Sequence, residues 1–165
     1  MTRRIRLAAP FQEDSIVDGP GLRAVIWTQG CPHRCPGCHN PQTHDPEGGR
    51  EVSIDYLISC IDNLKGHDGI TFSGGDPMMQ PLSCAEIAKH AKEKGLNVWC
   101  YTGFLYEQLT HPDQQEFLKY IDVLVDGPFI QCFLSYDAKF RGSTNQRLID
   151  VQESLARKEV VSWIN

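Results

Sequence analysis

Three of the seven cysteines lie within eight residues, in the spacing CxxxCxxC formed by Cys31, Cys35 and Cys38. An odd number of cysteines excludes a complete set of intramolecular disulfide bonds. With 41% hydrophobic residues, a chain of 165 residues can also build a core without disulfides. Thiolates this close together in a turning loop can bind one centre, and soft thiolates select zinc, copper(I) or an iron-sulfur cluster. The spacing therefore predicts a metal site.

The spacing leaves the identity of the metal open. A structural zinc site has four protein ligands, and His39, directly after Cys38, can supply the fourth. Three cysteines also suit a 4Fe-4S cluster with one iron left open, whereas an electron-transfer cluster takes four. The remaining cysteines stand singly in predicted helices and strands, a pattern typical of buried core thiols. They are Cys60, Cys84, Cys100 and Cys132.

Small and polar residues follow three of the predicted strands, at the point where each strand ends. These residues are Gly74, Gly75, Asp76, Thr102 and Asp126. Taken alone, the Gly-Gly pair predicts a tight turn, the threonine an N-cap and the second aspartate a polar strand end. In a parallel sheet, however, the same positions are where ligands bind.

These residues must be positioned by strands and helices that alternate along the chain. Apolar runs between Gly, Pro and Asp predict strands at 22–28, 69–73, 96–101 and 121–125, with weaker patterns at 147–151 and 160–163. A 3.6-residue apolar period predicts three helices. The first begins at Ser53, the second at a capping box of Ser83 and Glu86 with a stop at Gly95, and the third near Gln114.

The alternation predicts an α/β fold with right-handed crossovers and a parallel sheet, in one domain over residues 1–165. The carboxyl ends of parallel strands meet at one edge of a sheet, and the reactive loops follow them. We therefore interpret the cysteine loop and the residues at the strand ends as one site.

Composition narrows the classes of partner. The net charge of -5 provides no positive field, so we expect no direct nucleic-acid partner. The basic start is followed by an apolar stretch that is too short for a secretory signal, and no stretch approaches the roughly 20 apolar residues that span a bilayer. We accordingly expect no membrane partner and a cytoplasmic protein with reduced thiols.

Together, the motifs resemble those of a known superfamily. CxxxCxxC after the first strand and Gly-Gly-acid-Pro after the second are similar to the radical S-adenosylmethionine superfamily. Four segments resemble the branch that activates anaerobic ribonucleoside-triphosphate reductase: DGPGLR at 18–23, GCPH at 30–33, GCHNP at 37–41 and RGSTNQ at 141–146. The resemblance runs from Ile16 to Trp163 and implies a partial, open parallel β/α barrel.

The resemblance implies roles for these residues. Cys31, Cys35 and Cys38 would bind three irons of a 4Fe-4S cluster, and S-adenosylmethionine would chelate the fourth iron. The remaining residues would contact that cofactor. Gly74, Gly75 and Asp76 would hold its amino group, and Gly37 and His39, on either side of Cys38, would lie along its adenosine. Thr102 and Asp126 would lie at its ribose or carboxylate. No catalytic side chain beyond the cluster ligands is expected.

Two residues depart from the superfamily pattern. Gly37 stands where an aromatic residue is common, which removes a stacking contact with adenine. Asp76 replaces the commoner glutamate of the Gly-Gly-acid loop, so its reach towards the cofactor is left open.

The implied activity is that of an oxidoreductase, which takes an electron from a reducing donor and generates a glycyl radical on the large subunit of the anaerobic ribonucleotide reductase. Because that substrate is a protein loop, we expect the short barrel to leave a flank that the C-terminal segment does not seal. The segment 141–147 would close the cofactor site or meet the partner, unless it is a solvated polar loop. Alternatives are an activase of a pyruvate formate-lyase type enzyme, a deazaguanine-forming radical enzyme, and a non-catalytic zinc module that binds a partner protein.

Overall fold

Strands and helices alternate along the chain in a computed structural model that describes residues 3–33, 41–135 and 139–164. The strands of these residues are β1 (Arg4–Leu7), β2 (Gln12–Ser15), β3 (Arg23–Thr28), β4 (Arg50–Ser53), β5 (Gly69–Gly74), β6 (Asn97–Tyr101), β7 (Val123–Asp126) and β8 (Arg147–Asp150). Their α-helices are α1 (Ile54–Asp62), α2 (Pro81–Glu93), α3 (Pro112–Leu118) and α4 (Val151–Arg157). No helix in the described part of the chain is both long enough and apolar enough to cross a membrane.

These strands form one sheet in the order β4-β1-β3-β5-β6-β7-β8. The remaining strand, β2, also pairs with β3. β3, β5, β6 and β7 are parallel, which is the predicted parallel sheet. β1 and β2 run antiparallel to β3, β4 to β1 and β8 to β7. The sheet ends at β4 and β8 without closing, so the predicted α/β fold with a partial, open barrel is confirmed.

The helices cover one face of this sheet. Alternate residues of the parallel strands, such as Ile26, Phe72 and Cys100, pack in one buried cluster with the apolar sides of α1, α2 and α3. The intervening residues face the other way, and there Trp99 packs edge-on against Phe140 and Trp163, with ring centroids 5.2 and 5.1 Å apart. The second face therefore carries its own small apolar cluster and no helix of the described residues.

Two of the predicted helix signals are confirmed and one is wrong. The Ser53 hydroxyl accepts a hydrogen bond from Tyr56 N at 3.1 Å and caps α1, and Gly95 follows α2 with a φ of 80°. The capping box at Ser83 does not form, because α2 already begins at Pro81. The Ser83 hydroxyl instead donates to Arg4 O at 2.8 Å and ties the helix to β1.

The C-terminal region also differs from the prediction. The strand pattern at 147–151 corresponds to β8, but Val151 already begins α4, since Asp150 accepts a hydrogen bond from Glu153 N at 3.1 Å and caps that helix. The strand predicted at 160–163 is wrong. Only a single bridge joins Ile149 and Ser162, which lays the C-terminal segment beside β8.

Candidate functional site

The carboxyl ends of the parallel strands bring the predicted loops together. Thr28 at the end of β3 is in register with Gly74 at the end of β5, and Phe72 of β5 with Cys100 of β6. The segments that continue from these ends are therefore neighbours. They are the start of the cysteine loop, the Gly-Gly-Asp loop and the Thr102 turn.

Hydrogen bonds join the Gly-Gly-Asp loop to the residues just before Cys31. Gly75 N donates to Thr28 O at 2.8 Å, and Asp76 N donates to Gly30 O at 2.7 Å. A Cβ at Gly75 would lie 2.5 Å from Gly30 O, so glycine allows the two backbones to lie in contact. Gly75 is predicted to contact a cofactor, and in the structure its backbone contacts the chain's own Gly30.

The cysteine loop is anchored a second time where the chain returns. Gly30 N donates to Thr43 O at 2.6 Å, and Cys31 N donates to His44 O at 3.1 Å. The buried Gln29 amide donates to the backbone oxygens of Gln42 and Asp45, at 3.1 and 2.7 Å. The sequence reasoning had missed Gln29, since a lone glutamine after a strand carries no pattern.

The Asp76 carboxylate is fully buried and accepts hydrogen bonds from four groups. Met78 N donates to Oδ1 at 3.0 Å, and the Thr102 hydroxyl lies 2.8 Å from Oδ1 and 3.0 Å from Oδ2. Gly103 N donates to Oδ2 at 3.0 Å, and the ring nitrogen His33 Nε2 lies 2.6 Å from the same oxygen. The structure thus brings two of the predicted cofactor residues, Asp76 and Thr102, into direct contact.

His33 is the member of this group that sequence reasoning did not single out. Its ring packs edge-on against Phe104, with centroids 4.5 Å apart, and its side chain is only 15% exposed. A Cβ on Gly103 would lie 2.4 Å from the His33 ring, so the imidazole occupies the space that the glycine leaves. The available signals were its position between Cys31 and Cys35 and its place in the GCPH segment at 30–33.

Cys31 lines a pocket of about 360 Å³ together with Pro32, His44, Pro46 and Met79. The His44 Nε2 atom is buried and has no hydrogen-bond partner among the described residues. A half-buried thiol in a largely apolar pocket, with one polar nitrogen left over, fits a soft metal or cluster site. Cys35, Gly37, Cys38 and His39 lie outside the described residues, so their predicted roles remain predictions.

Asp126 is at the predicted strand end, but its carboxylate contacts other groups. It is fully buried and accepts a hydrogen bond from Tyr106 N at 2.7 Å and one from Arg147 Nε at 2.9 Å. The hydrogen bonds with Asp126 and Glu107 raise the pKa of the Arg147 guanidinium. The structure therefore does not join Asp126 to the group around Asp76.

The polar segment 141–146 is fastened to the turn after β7. Gln146 Oε1 accepts hydrogen bonds from Gly142 N at 2.9 Å and Ser143 N at 3.1 Å, and its amide donates to Gly127 O at 3.0 Å. Asn145 Nδ2 donates to Pro128 O at 2.8 Å. These contacts give the segment an ordered shape, unlike a solvated polar loop.

The cysteines outside the loop do not all lie in the core. Cys84 and Cys100 are buried, and burial raises the pKa of both thiols. Cys60 is half-buried, and Cys132 is exposed, so the prediction of a core thiol is wrong for Cys132. Among residues 3–33, 41–135 and 139–164, no three His, Cys, Asp or Glu side chains come together as a metal site. The predicted metal site, the cysteine loop, lies partly outside these residues.

The model of a 4Fe-4S single cluster domain family matches residues 17–149. An anaerobic ribonucleoside-triphosphate reductase-activating protein of Salmonella typhi is 35% identical in an alignment 140 residues long, which covers 79% of this chain and 90% of that protein. The chain belongs to the family of these activating proteins. This family membership also fits the position of the cysteine loop directly after β3, next to the Gly-Gly-Asp loop.

Two matches outside the reductase-activating proteins cover less of this chain. A pyruvate formate-lyase-activating enzyme of Clostridium pasteurianum is 36% identical over 116 residues, which cover 67% of this chain but 47% of that enzyme. Among solved structures, QueE from Escherichia coli matches 62% of this chain and 53% of that chain, with a TM-score of 0.45 and 17% identity. The length of the match therefore favours the reductase-activating proteins over the longer lyase-activating enzyme.

Proposed function

We propose that this protein is an iron-sulfur activase that uses S-adenosylmethionine to generate a glycyl radical on anaerobic ribonucleoside-triphosphate reductase. The observation that carries the proposal is the contact of the Gly-Gly-Asp loop with the residues just before Cys31. This contact supports a proposed cluster-binding loop and a proposed cofactor-binding loop that lie next to each other. Membership of the activating-protein family supports the identity of the partner.

The proposed ligands of the cluster are Cys31, Cys35 and Cys38. A 4Fe-4S cluster held by these thiolates would supply one electron for the cleavage of S-adenosylmethionine into methionine and a 5'-deoxyadenosyl radical, which would take a hydrogen atom from a glycine of the partner. The apolar lining contributed by Pro32, Pro46 and Met79 lies around the proposed ligand Cys31 and would limit access of water to its thiolate.

The proposed cofactor contacts follow from the same loops. The backbone of Gly74 and Gly75 lies nearest the start of the cysteine loop and would hold the methionyl amino group. Thr102 lies on the neighbouring strand end, on the side proposed for the ribose. Gly37 and His39 would lie along the adenosine. We assign Asp126 to positioning instead, since its carboxylate already accepts hydrogen bonds from Arg147 and Tyr106.

The substrate is proposed to be a protein, which needs an open approach. The C-terminal segment contacts β8, where Trp163 N donates to Leu148 O at 2.9 Å, and it lines neither the pocket beside Cys31 nor the one described next. A pocket of about 290 Å³ opens between Ser73, Tyr101 and Phe140, on the sheet face opposite the helices. These features support the expected open flank. The reducing donor is a further required partner.

The test is anaerobic reconstitution with iron and sulfide, followed by reduction and addition of S-adenosylmethionine and the large subunit of the reductase. We expect release of 5'-deoxyadenosine and a glycyl-radical doublet in electron paramagnetic resonance. Cys35→Ala should abolish both signals, and the matched control Cys60→Ala should retain them. A zinc module would take up no iron and sulfide, and activity that survives in the Cys35 variant would refute the cluster assignment.

An activase of a pyruvate formate-lyase type enzyme is the second candidate. The match to the Clostridium pasteurianum enzyme favours it, although that match covers less than half of the enzyme's length. Presenting both kinds of partner in the same experiment separates the two candidates. A doublet on the lyase, together with none on the reductase, would transfer the assignment to the second candidate.

A further inference from the structure

The Asp76 carboxylate has no acceptor site left for a ligand. A carboxylate offers about four lone-pair sites, two on each oxygen. Met78 N and the Thr102 hydroxyl use Oδ1, while Gly103 N and His33 Nε2 use Oδ2. An ammonium group that approached this buried carboxylate would have to displace one of four donors that the chain itself supplies. The acceptor sites of the carboxylate are therefore used by hydrogen bonds within the protein.

The four donors come from separate segments of the chain. His33 belongs to the cysteine loop, Met78 to the turn before α2, and Thr102 and Gly103 to the turn after β6. His33 and Asp76 are 43 positions apart, and Thr102 follows Asp76 by 26. One carboxylate thus joins the cysteine loop to the turn before α2 and to the turn after β6.

We propose that Asp76 and His33 are positioning residues, which fix the cysteine loop for cluster binding, and that Asp76 does not contact the cofactor's amino group. This inference rests on the proposed function only in that the loop carries a cluster. Because carboxylate oxygens accept, His33 Nε2 must carry the donated hydrogen. His33 is two residues from Cys31, so its hydrogen bond holds the backbone next to this proposed ligand.

The same geometry explains why an aspartate stands in a loop where glutamate is commoner. Asp76 precedes the turn Pro77–Met79 as its N-cap, and its side chain accepts the hydrogen bond from the backbone two residues ahead. A short acid reaches that N–H, whereas the extra methylene of glutamate would move the carboxylate away from it. The shorter side chain is therefore suited to a cap and a tie between loops.

Packing around the His33 ring supports a fixed position. Phe104 contacts one side of the ring, and the missing side chain of Gly103 leaves space on the other. Gly103→Ala would place a methyl group 2.4 Å from the ring without removing any hydrogen-bonding group. This variant displaces His33 by steric contact alone and complements changes of the histidine itself.

The experiment measures how fast iron leaves the reconstituted protein when a chelator is added. Loss of a group that orients a metal ligand typically costs about 10- to 100-fold in metal affinity. We expect His33→Ala and Gly103→Ala to release iron at least about 10-fold faster than the wild type. His33→Gln, which keeps an N–H near the Nε2 position, should restore most of the difference. His90→Ala is the matched control, because it removes a similar histidine–aspartate contact far from the cysteine loop in sequence. His90 Nε2 of α2 lies 2.7 Å from Asp62 Oδ1 of α1.

A double-mutant cycle distinguishes a tie between loops from a cofactor ligand. If Asp76 and His33 act through their shared hydrogen bond, Asp76→Asn and His33→Ala should each speed iron release, and the double variant should be no faster than the more severe single variant. If Asp76 binds the amino group, Asp76→Asn should weaken S-adenosylmethionine binding, measured by calorimetry, and leave iron release unchanged. That second result would overturn the proposal.

Two further outcomes would also overturn it. Iron release at the wild-type rate in His33→Ala would show that the hydrogen bond does not position the loop. Equally fast iron release from His33→Gln and His33→Ala would show that the donated hydrogen bond does not hold the loop in position. Circular dichroism on each variant reports whether it folds, and the glutamine variant keeps the test valid if the alanine variant does not. Because the wild-type cluster is assayed first, failure of the proposed function is recognised separately.

Discussion

Arg23 is a charged side chain placed at the centre of the sheet, and its removal should destabilise the fold strongly. It is 1% exposed and donates five hydrogen bonds, to the side chain of Thr71 and to oxygens of Pro20, Ile70 and Asn97. The guanidinium also lies over the Trp99 ring, 5.7 Å from its centroid. Arg23→Met keeps an unbranched apolar stem and removes every one of these donors.

The expected magnitude follows from the acceptors that lose their donor. Loss of the donor at a buried acceptor costs about 1–3 kcal/mol, so the two buried bonds of Arg23, to Thr71 Oγ1 and Ile70 O, together account for about 2–6 kcal/mol. Burial lowers the pKa of Arg23 to about 10, which shows that holding the charge inside is itself unfavourable. Removal of that charge offsets part of the loss, so we expect a net destabilisation of about 3 kcal/mol. For a chain of this size, this corresponds to a fall in Tm of about 6–12 °C.

Thermal and urea unfolding of the reduced protein without cluster, followed by circular dichroism, measures this effect. Arg4→Met is the matched control, because Arg4 is exposed on β1 and a surface change is usually within about 0.5 kcal/mol. Arg23→Lys keeps the charge but not the planar set of donors, so it should fall between the wild type and Arg23→Met. A loss below about 1 kcal/mol in Arg23→Met would refute the reasoning that these bonds hold the centre of the sheet.

Two further predictions concern the ion pairs and the thiols. Arg147→Met should lower the free energy of unfolding by about 3 kcal/mol, because it leaves the buried Asp126 carboxylate without its charge partner. Glu107→Gln should lower it by less than about 1 kcal/mol, because Glu107 is 60% exposed. The hydrogen bond from Arg147 lowers the pKa of Glu107. The pair therefore stabilises the fold at pH values above the ordinary pKa of glutamate and loses this effect as the pH falls through the lowered pKa. In an acid titration, the free energy of unfolding of Glu107→Gln should decline less steeply than that of the wild type. Iodoacetamide at neutral pH should label the exposed Cys132 and spare the buried Cys84, as read by mass spectrometry, and equal labelling would contradict the assigned positions.

The sequence predicted the parallel strands because their residues form apolar runs. β3, β5, β6 and β7 are buried on both faces, so their sequences show few polar interruptions. β2 and β4 read as polar segments, because they lie at the edges and expose much of their length. No local pattern distinguishes such strands from loops, and pairing with β3 and β1 alone makes them strands.

The helix caps show the same division. Ser53 was predicted as a cap and is one, since its hydroxyl lies beside the free N–H groups of its own helix. The capping box at Ser83 was equally plausible from sequence, but the chain enters α2 at Pro81 and the hydroxyl finds Arg4 O on another element. A tertiary hydrogen bond therefore replaced the local one.

The residues of the site could be identified from the sequence, whereas the hydrogen bonds between them could not. The cysteine spacing, the Gly-Gly-Asp loop and their places after strands are local features, so residue order alone indicated a metal loop beside a cofactor loop. Which donors satisfy Asp76 depends on the register of three parallel strands, and that register is set by packing over the whole sheet. Only the tertiary structure therefore showed that His33, Asp76 and Thr102 are joined, and that the Asp126 carboxylate is engaged by Arg147 and Tyr106.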